Sequence, residues 1–92
     1  MVWDIAETKA FSKEFKIFKK NKELLTALDK KLQRLRNDPE GVGGNLSGSL
    51  SGHKSTRLIG KLRLVFKIVP SQNTVYLIGI DHRKHDYLNF EV

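Results

Sequence analysis

The chain has 92 residues, of which 39% are hydrophobic and 29% charged, values that fit one soluble globular domain over 1–92 and exclude a disordered chain. Seventeen Lys and Arg against ten Asp and Glu leave a formal net charge of +7, so the expected partners are anionic: nucleic acid, an acidic protein or a lipid surface. The absence of cysteine excludes a disulfide framework and a thiolate zinc site. No apolar run approaches the roughly 18 residues that cross a bilayer. The first residues lack the apolar core of a signal peptide, and the cytoplasm is the expected location.

Val2-Trp3-Asp4-Ile5-Ala6 alternates large apolar with small or polar residues and predicts a short strand. Thr8 to Lys20 follows with Phe11, Phe15 and Phe18 at helical spacing, which sets three rings on one face. Asn21 breaks that helix. Lys22 to Arg36 repeats the pattern with Leu24, Leu25, Leu28, Leu32 and Leu35, until Asn37-Asp38-Pro39 and the glycines beyond it end the second helix. Two amphipathic helices with so short a connection are expected to form an antiparallel hairpin. Their lysines at 13, 16, 19, 20, 30 and 31 lie on the opposite, solvated faces.

Gly41 to Gly52 holds five of the seven glycines and reads as a structured loop with Leu46 and Leu50 as anchors. The period then changes to two. Thr56–Ile59 predicts a short strand, Gly60-Lys61 a tight turn, and Leu62–Val69 a longer strand with Leu62, Leu64, Phe66 and Ile68 on one face. Arg63, Val65, Lys67 and Val69 fall on the other. Residues 70–74 turn the chain into a last strand, Val75–Asp81. Strict alternation there sets Val75, Leu77, Gly79, Asp81 and Arg83 against Tyr76, Ile78, Ile80 and His82. The predicted class is α+β, ordered β-α-α-β-β-β: an antiparallel sheet with the helical hairpin on one face and the other partly open.

Between Gly41 and Ile80 there is no Asp or Glu, yet Lys54, Arg57, Lys61, Arg63 and Lys67 fall within fifteen residues. Uncompensated charge of one sign usually persists because something anionic binds it. With Leu62 and Leu64 against the helices, Arg63 projects from the open face, where Gly79 offers a shallow spot for a ligand's backbone. Arg63 and Arg83 can meet on one phosphate, or serve as surface charges paired with Asp81 or Asp86. The tail Asp81-His82-Arg83-Lys84-His85-Asp86-Tyr87 adds two imidazoles that titrate near neutrality. Tyr87 reads as an acid, a stacking group or an edge of the core. His53, His82 and His85 have zinc-ligand chemistry but no recognised spacing, so no metal or cofactor is expected.

Three stretches resemble the RelE/ParE toxin superfamily. Leu46-Ser47-Gly48-Ser49-Leu50-Ser51-Gly52-His53-Lys54 is similar to its L-x-G-x-x-x-G loop. Arg57-Leu58-Ile59-Gly60-Lys61-Leu62-Arg63-Leu64-Val65-Phe66 is similar to its R-x-G-x-Y-R hairpin, and Ile80-Asp81-His82-Arg83-Lys84-His85-Asp86-Tyr87 to its closing G-H-R-x-x-x-Y. For the RelE branch the resemblance implies cleavage of mRNA in the ribosomal decoding site by metal-independent attack of a ribose 2′-hydroxyl. A cognate acidic antitoxin would hold the toxin inactive. The matching positions are Lys54, Arg63, Arg83 and Tyr87. Lys54 is implied as base or electrostatic support, Arg63 and Arg83 as phosphate ligands, and His82, His85 or Tyr87 as proton donor. Arg57, Lys61, Lys67 and Lys84 are the expected RNA-binding residues around them. Two departures stand out: a second family lysine falls at Thr56, and the aromatic before the strand arginine is Leu62. The ParE branch implies instead an inhibitor of DNA gyrase, and the basic stretch alone a non-catalytic RNA-binding module.

Overall fold

The computed structural model describes residues 2–46 and 52–81. Over these the chain forms β1 (Asp4–Glu7), α1 (Lys9–Phe18), α2 (Lys22–Asn37), a 3₁₀ turn at Pro39–Gly41, β2 (Gly44–Asn45), β3 (Lys54–Arg57), β4 (Arg63–Val69), a second 3₁₀ turn at Pro70–Gln72, and β5 (Thr74–Asp81). The strands make one five-stranded sheet in the order β1-β5-β4-β3-β2.

Each helix begins on a side chain that satisfies an otherwise open backbone N–H. Thr8 Oγ1 accepts from the Phe11 N–H at 3.2 Å, and Asn21 Oδ1 accepts from the Leu24 N–H at 3.0 Å. Thr8 does more than cap: its hydroxyl donates to the Leu77 carbonyl at 2.8 Å, which ties the start of α1 to β5 across 69 residues of sequence. The Asn21 break ends α1 at Phe18, slightly earlier than the apolar spacing predicts, and α2 runs to Asn37.

The helices and one sheet face enclose the core. Phe11, Leu24, Leu28 and Leu35 meet Leu62, Leu64, Phe66, Val75, Leu77 and Ile80, with Phe15, Phe18 and Leu32 packed at the margin. The Phe11 and Phe15 rings stack at 5.8 Å. Burying side chains of this size contributes about 1.5–3 kcal/mol each, so the dozen or so involved carry the hydrophobic stabilisation of the domain.

Four features depart from the pattern read along the sequence. The sheet is mixed: β3, β4 and β5 are antiparallel as expected, but β1 lies parallel to β5, with Ile5 opposite Val75 and Ala6 opposite Tyr76. The short strand before the hairpin spans Lys54–Arg57, with Leu58 and Ile59 already in the turn. The glycine-rich stretch supplies a strand of its own, β2, paired to Lys54 and Ser55. Gly43 makes that approach possible, since at its φ of +69° a Cβ would stand 2.1 Å from the Ser55 carbonyl oxygen.

The fourth departure is a bulge. Val65 pairs with Gly79 but Phe66 pairs with Leu77, which leaves Ile78 as an extra residue in β5. A bulge shifts the alternation by one residue. Val75, Leu77 and Ile80 therefore all face the helices, while Tyr76, Gly79 and Asp81 face away with Arg63, Val65 and Lys67. The strict division of β5 into two alternating sets does not hold.

Candidate functional site

The register of β3, β4 and β5 builds the open face row by row. Ser55, Val65 and Gly79 form one row, and Arg57, Arg63 and Asp81 form the next. Direct cross-strand neighbours have Cβ atoms about 4.5–5.5 Å apart. Two guanidinium groups thus leave the sheet side by side, with one carboxylate on the far flank of Arg63.

Placing two like charges opposite each other is unfavourable by itself. Arg57 is exposed, and Arg63 is half-buried. The Arg63 Nε is buried and has no hydrogen-bond partner. A buried donor left unmade costs roughly 1–3 kcal/mol, so this nitrogen favours an acceptor that arrives from outside. Two planar forks with one unmet donor suit a tetrahedral oxyanion such as a phosphodiester.

The row behind the arginines is closed. Val65 is fully buried and Ser55 is 3% exposed, and Gly79 is likewise buried. The shallow open spot expected at Gly79 is therefore absent, and among the described residues this face is accessible at the arginine row and at Lys67.

The structure separates Lys54 from that row. Lys54 lies opposite Phe66, a core residue, and so points to the helix side of the sheet. Its Nζ donates to the Glu40 carbonyl in the 3₁₀ turn after α2, at 3.1 Å. Thr56 is 4% exposed and sits opposite Leu64, again on the core side. The second basic side chain of the Arg63 row is accordingly Arg57. Leu62 is buried in the core, so the position of the family aromatic provides packing here and no stacking surface.

Lys67 is exposed on the arginine face, opposite Tyr76, and Lys61 is exposed in the turn joining β3 to β4. His53, read from sequence only as an unmatched zinc ligand, is 6% exposed with an Nδ1 that has no hydrogen-bond partner. Alternation from β3 puts it on the side of Ser55 and Arg57. Four residues of strand separate it from Arg57 by about 13 Å, too far to share one phosphate. Its only sequence signal is its place in the acid-free basic stretch. Among the described residues no group of three His, Cys, Asp or Glu is arranged to hold a metal ion. His82, Arg83, Lys84, His85 and Tyr87 lie outside the described residues, as does Leu50.

No protein-family model matches the sequence, and no curated protein matches it. The fold does match solved structures. A metal-bound toxin from Helicobacter pylori is 29% identical with a TM-score of 0.73, over 96% of this chain and 99% of that one. The RelBE2 toxin–antitoxin complex from Mycobacterium tuberculosis matches with 26% identity and a TM-score of 0.74, over 90% of this chain and 93% of that one. A mutant of toxin RelE from E. coli in its free state shares the fold, with 18% identity, a TM-score of 0.73, and cover of 96% and 90%. In each case the agreement covers nine-tenths or more of both chains.

Proposed function

Because this chain belongs to the RelE/ParE toxin superfamily, we propose that it is the toxin of a type II toxin–antitoxin pair and a ribosome-dependent endoribonuclease. The single observation that carries this reading is the Arg57–Arg63 pair, two cations juxtaposed across β3 and β4, with the buried Nε of Arg63 left without a hydrogen-bond partner. Such a pair is costly for a fold to keep and useful for a phosphate.

The reaction is attack within the RNA chain. A base removes the proton of a ribose 2′-hydroxyl. The 2′-oxygen then bonds to the adjacent phosphorus, and the bond from phosphorus to the 5′-oxygen breaks. An acid protonates the departing 5′-oxygen, leaving a 2′,3′-cyclic phosphate and a 5′-hydroxyl. Arg57 and Arg63 hold the two non-bridging oxygens and stabilise the negative charge that grows on them, which is where fixed cations have most effect. Arg83 is a third phosphate ligand in this scheme, and His82, His85 and Tyr87 supply the acid and base. Lys67 and Lys61, with Lys84, attract the flanking backbone. Lys54, engaged with the Glu40 carbonyl on the other side of the sheet, supports the β3 edge in place of acting as base.

The partner that restrains this activity is an acidic antitoxin protein; toxin–antitoxin complexes are among the matched folds. Toxin and target meet in the cytoplasm. Among the described residues no helix is long and apolar enough to cross a membrane.

Primer extension on a defined mRNA in a translating extract tests the reading. New 5′ ends inside codons are expected, dependent on translation and lost in Arg63→Ala. Intact mRNA together with inhibited DNA supercoiling would overturn the nuclease in favour of gyrase inhibition. Intact mRNA with gyrase unaffected would leave a basic binding module.

A further inference from the structure

Two rows of side chains run along the outward face of α2, because residues four apart stack on a helix. Lys22, Thr26 and Lys30 form one row, and Glu23, Ala27 and Lys31 the other. With Leu58 and Ile59 these rows line a hollow of about 570 Å³. Ala27, Leu58 and Ile59 give it an aliphatic floor, and Lys22, Lys30 and Lys31 bring three ammonium groups to its rim. Lys30 also lines an adjoining hollow of about 400 Å³ that continues to Arg34. Glu23, the one acid of the first hollow, lies two turns before Lys31, about 12 Å along the helix axis, too far to pair with it.

Lys31 stands apart from the other described lysines. Only Lys31 and Lys54 are half-buried, and the rest are exposed. Lys54 donates to the Glu40 carbonyl, whereas Lys31 has no hydrogen bond or ion pair with any described residue. Side chains of a helix lean toward its N-terminus, so the Lys31 stem lies over Ala27 and carries the amine to the edge of the aliphatic floor. Burial and the neighbouring Arg34 hold the Lys31 ammonium below its usual pKa of 10.5. The titratable groups around it are Lys22, Glu23, Lys30 and Arg34, all from α2. A half-buried, unengaged amine among cations is the arrangement that makes a lysine nucleophilic.

We propose that Lys31 is an acylation site and that the hollow beside it binds the donor, a medium-chain acyl phosphate. The acyl chain lies on Ala27, Leu58 and Ile59, and the phosphate sits at Lys30, where the two hollows meet and Arg34 adds a second cation. This places the donor's carbonyl carbon beside the Lys31 amine. The neutral Nζ attacks that carbon and a C–N bond forms. The bond from the carbonyl carbon to the phosphate oxygen breaks, and inorganic phosphate leaves with the electron pair. Water takes the proton that Nζ releases. The product is an uncharged amide, so the modification removes one cation from α2 and covers the aliphatic floor. The hollow lies on the helix side of the sheet and the Arg57–Arg63 row on the other, so the modification does not depend on the nuclease reading.

Site-resolved acylation of the folded full chain tests this. The protein is exposed to limiting octanoyl phosphate at neutral pH, and each lysine is followed by peptide mass mapping. Lys31 is expected to react about tenfold or more faster than the exposed Lys13, Lys16 and Lys19. Two further probes separate the parts of the site. Acetyl phosphate keeps the phosphate but lacks the chain, and the preference for Lys31 over the α1 lysines should fall about fivefold or more. The N-hydroxysuccinimide ester of octanoate keeps the chain but lacks the phosphate. Lys30→Gln should slow Lys31 about threefold toward octanoyl phosphate and leave its rate with the neutral ester within about twofold. The same reaction in concentrated urea should level all the lysines, since the hollow exists only in the folded chain. Equal rates at Lys31 and the α1 lysines in the folded protein would overturn the proposal. So would a Lys31 preference unchanged across all three donors, which would assign it to the amine alone with no donor site. Faster reaction at Lys30 than at Lys31 would overturn it as well. Failure of the nuclease reading would appear in primer extension and leave these rates unchanged.

Discussion

Arg57 and Arg63 are direct cross-strand partners, and no described carboxylate other than Asp81 stands in their row. Two guanidinium groups in that relation oppose folding slightly and favour a bound anion strongly. Stability and function should therefore respond in opposite directions when either is removed.

For Arg63→Ala, cleavage should fall by roughly 10²–10³ in rate, the usual effect of deleting a well-placed charge stabiliser. Arg57→Ala should lose activity in the same direction. At low salt Arg57→Ala should keep or raise stability, by roughly 0.2–1 kcal/mol, because a like-charge cross-strand pair is relieved. Urea denaturation alongside single-turnover cleavage measures both. A variant that loses stability and activity in parallel would mean that the pair is structural.

Gly43→Ala should destabilise the sheet edge. The substitution combines a left-handed backbone with a Cβ that would meet the Ser55 carbonyl oxygen at 2.1 Å. A loss of about 1–3 kcal/mol is expected, with increased amide exchange at Lys54 and Ser55, which β2 covers. Gly60→Ala, also at positive φ but with nothing within 4 Å of the added carbon, should cost less.

Deleting Ile78 should leave a folded protein. In a regular strand a one-residue deletion turns every side chain beyond it to the wrong face. Here the deletion removes the extra residue, so Leu77 and Gly79 would still meet Phe66 and Val65. The cost is the loss of one buried isoleucine, 8% exposed, or about 2–5 kcal/mol. Dispersed amide spectra with a lowered thermal midpoint would bear this out; a collapsed spectrum would show that the bulge itself holds β5 in place.

Lys31 supplies a pH dependence. Its pKa is lowered in the folded state by burial and by Arg34, so the unfolded chain binds more protons just below 10.5. Stability should therefore rise with pH through that alkaline window, as Lys31 loses its proton in the folded protein first. Well below the folded pKa the penalty is fully present and constant. Lys31→Met should remove the alkaline rise and be at least as stable as the parent at neutral pH. Denaturant midpoints measured from neutral to alkaline pH give the comparison.

What the sequence determined was local. The phenylalanine and leucine stripes place α1 and α2 and their buried faces, because a helix is set by residues three and four apart. Thr8 and Asn21 mark both helix starts for the same reason, since a cap reaches only to the third residue beyond it. The alternation of Leu62, Leu64, Phe66 and Ile68 assigns β4 and puts Arg63 on the open face, a relation internal to one strand. Tertiary structure decided what depends on pairing between strands. The parallel docking of β1 on β5, the bulge at Ile78 and the turning of Lys54 toward Glu40 follow from register with a distant strand. A slip of one residue in that register reverses which face a side chain occupies. The Arg57–Arg63 row could be suspected from composition, but only the register of β3 against β4 makes the two arginines neighbours.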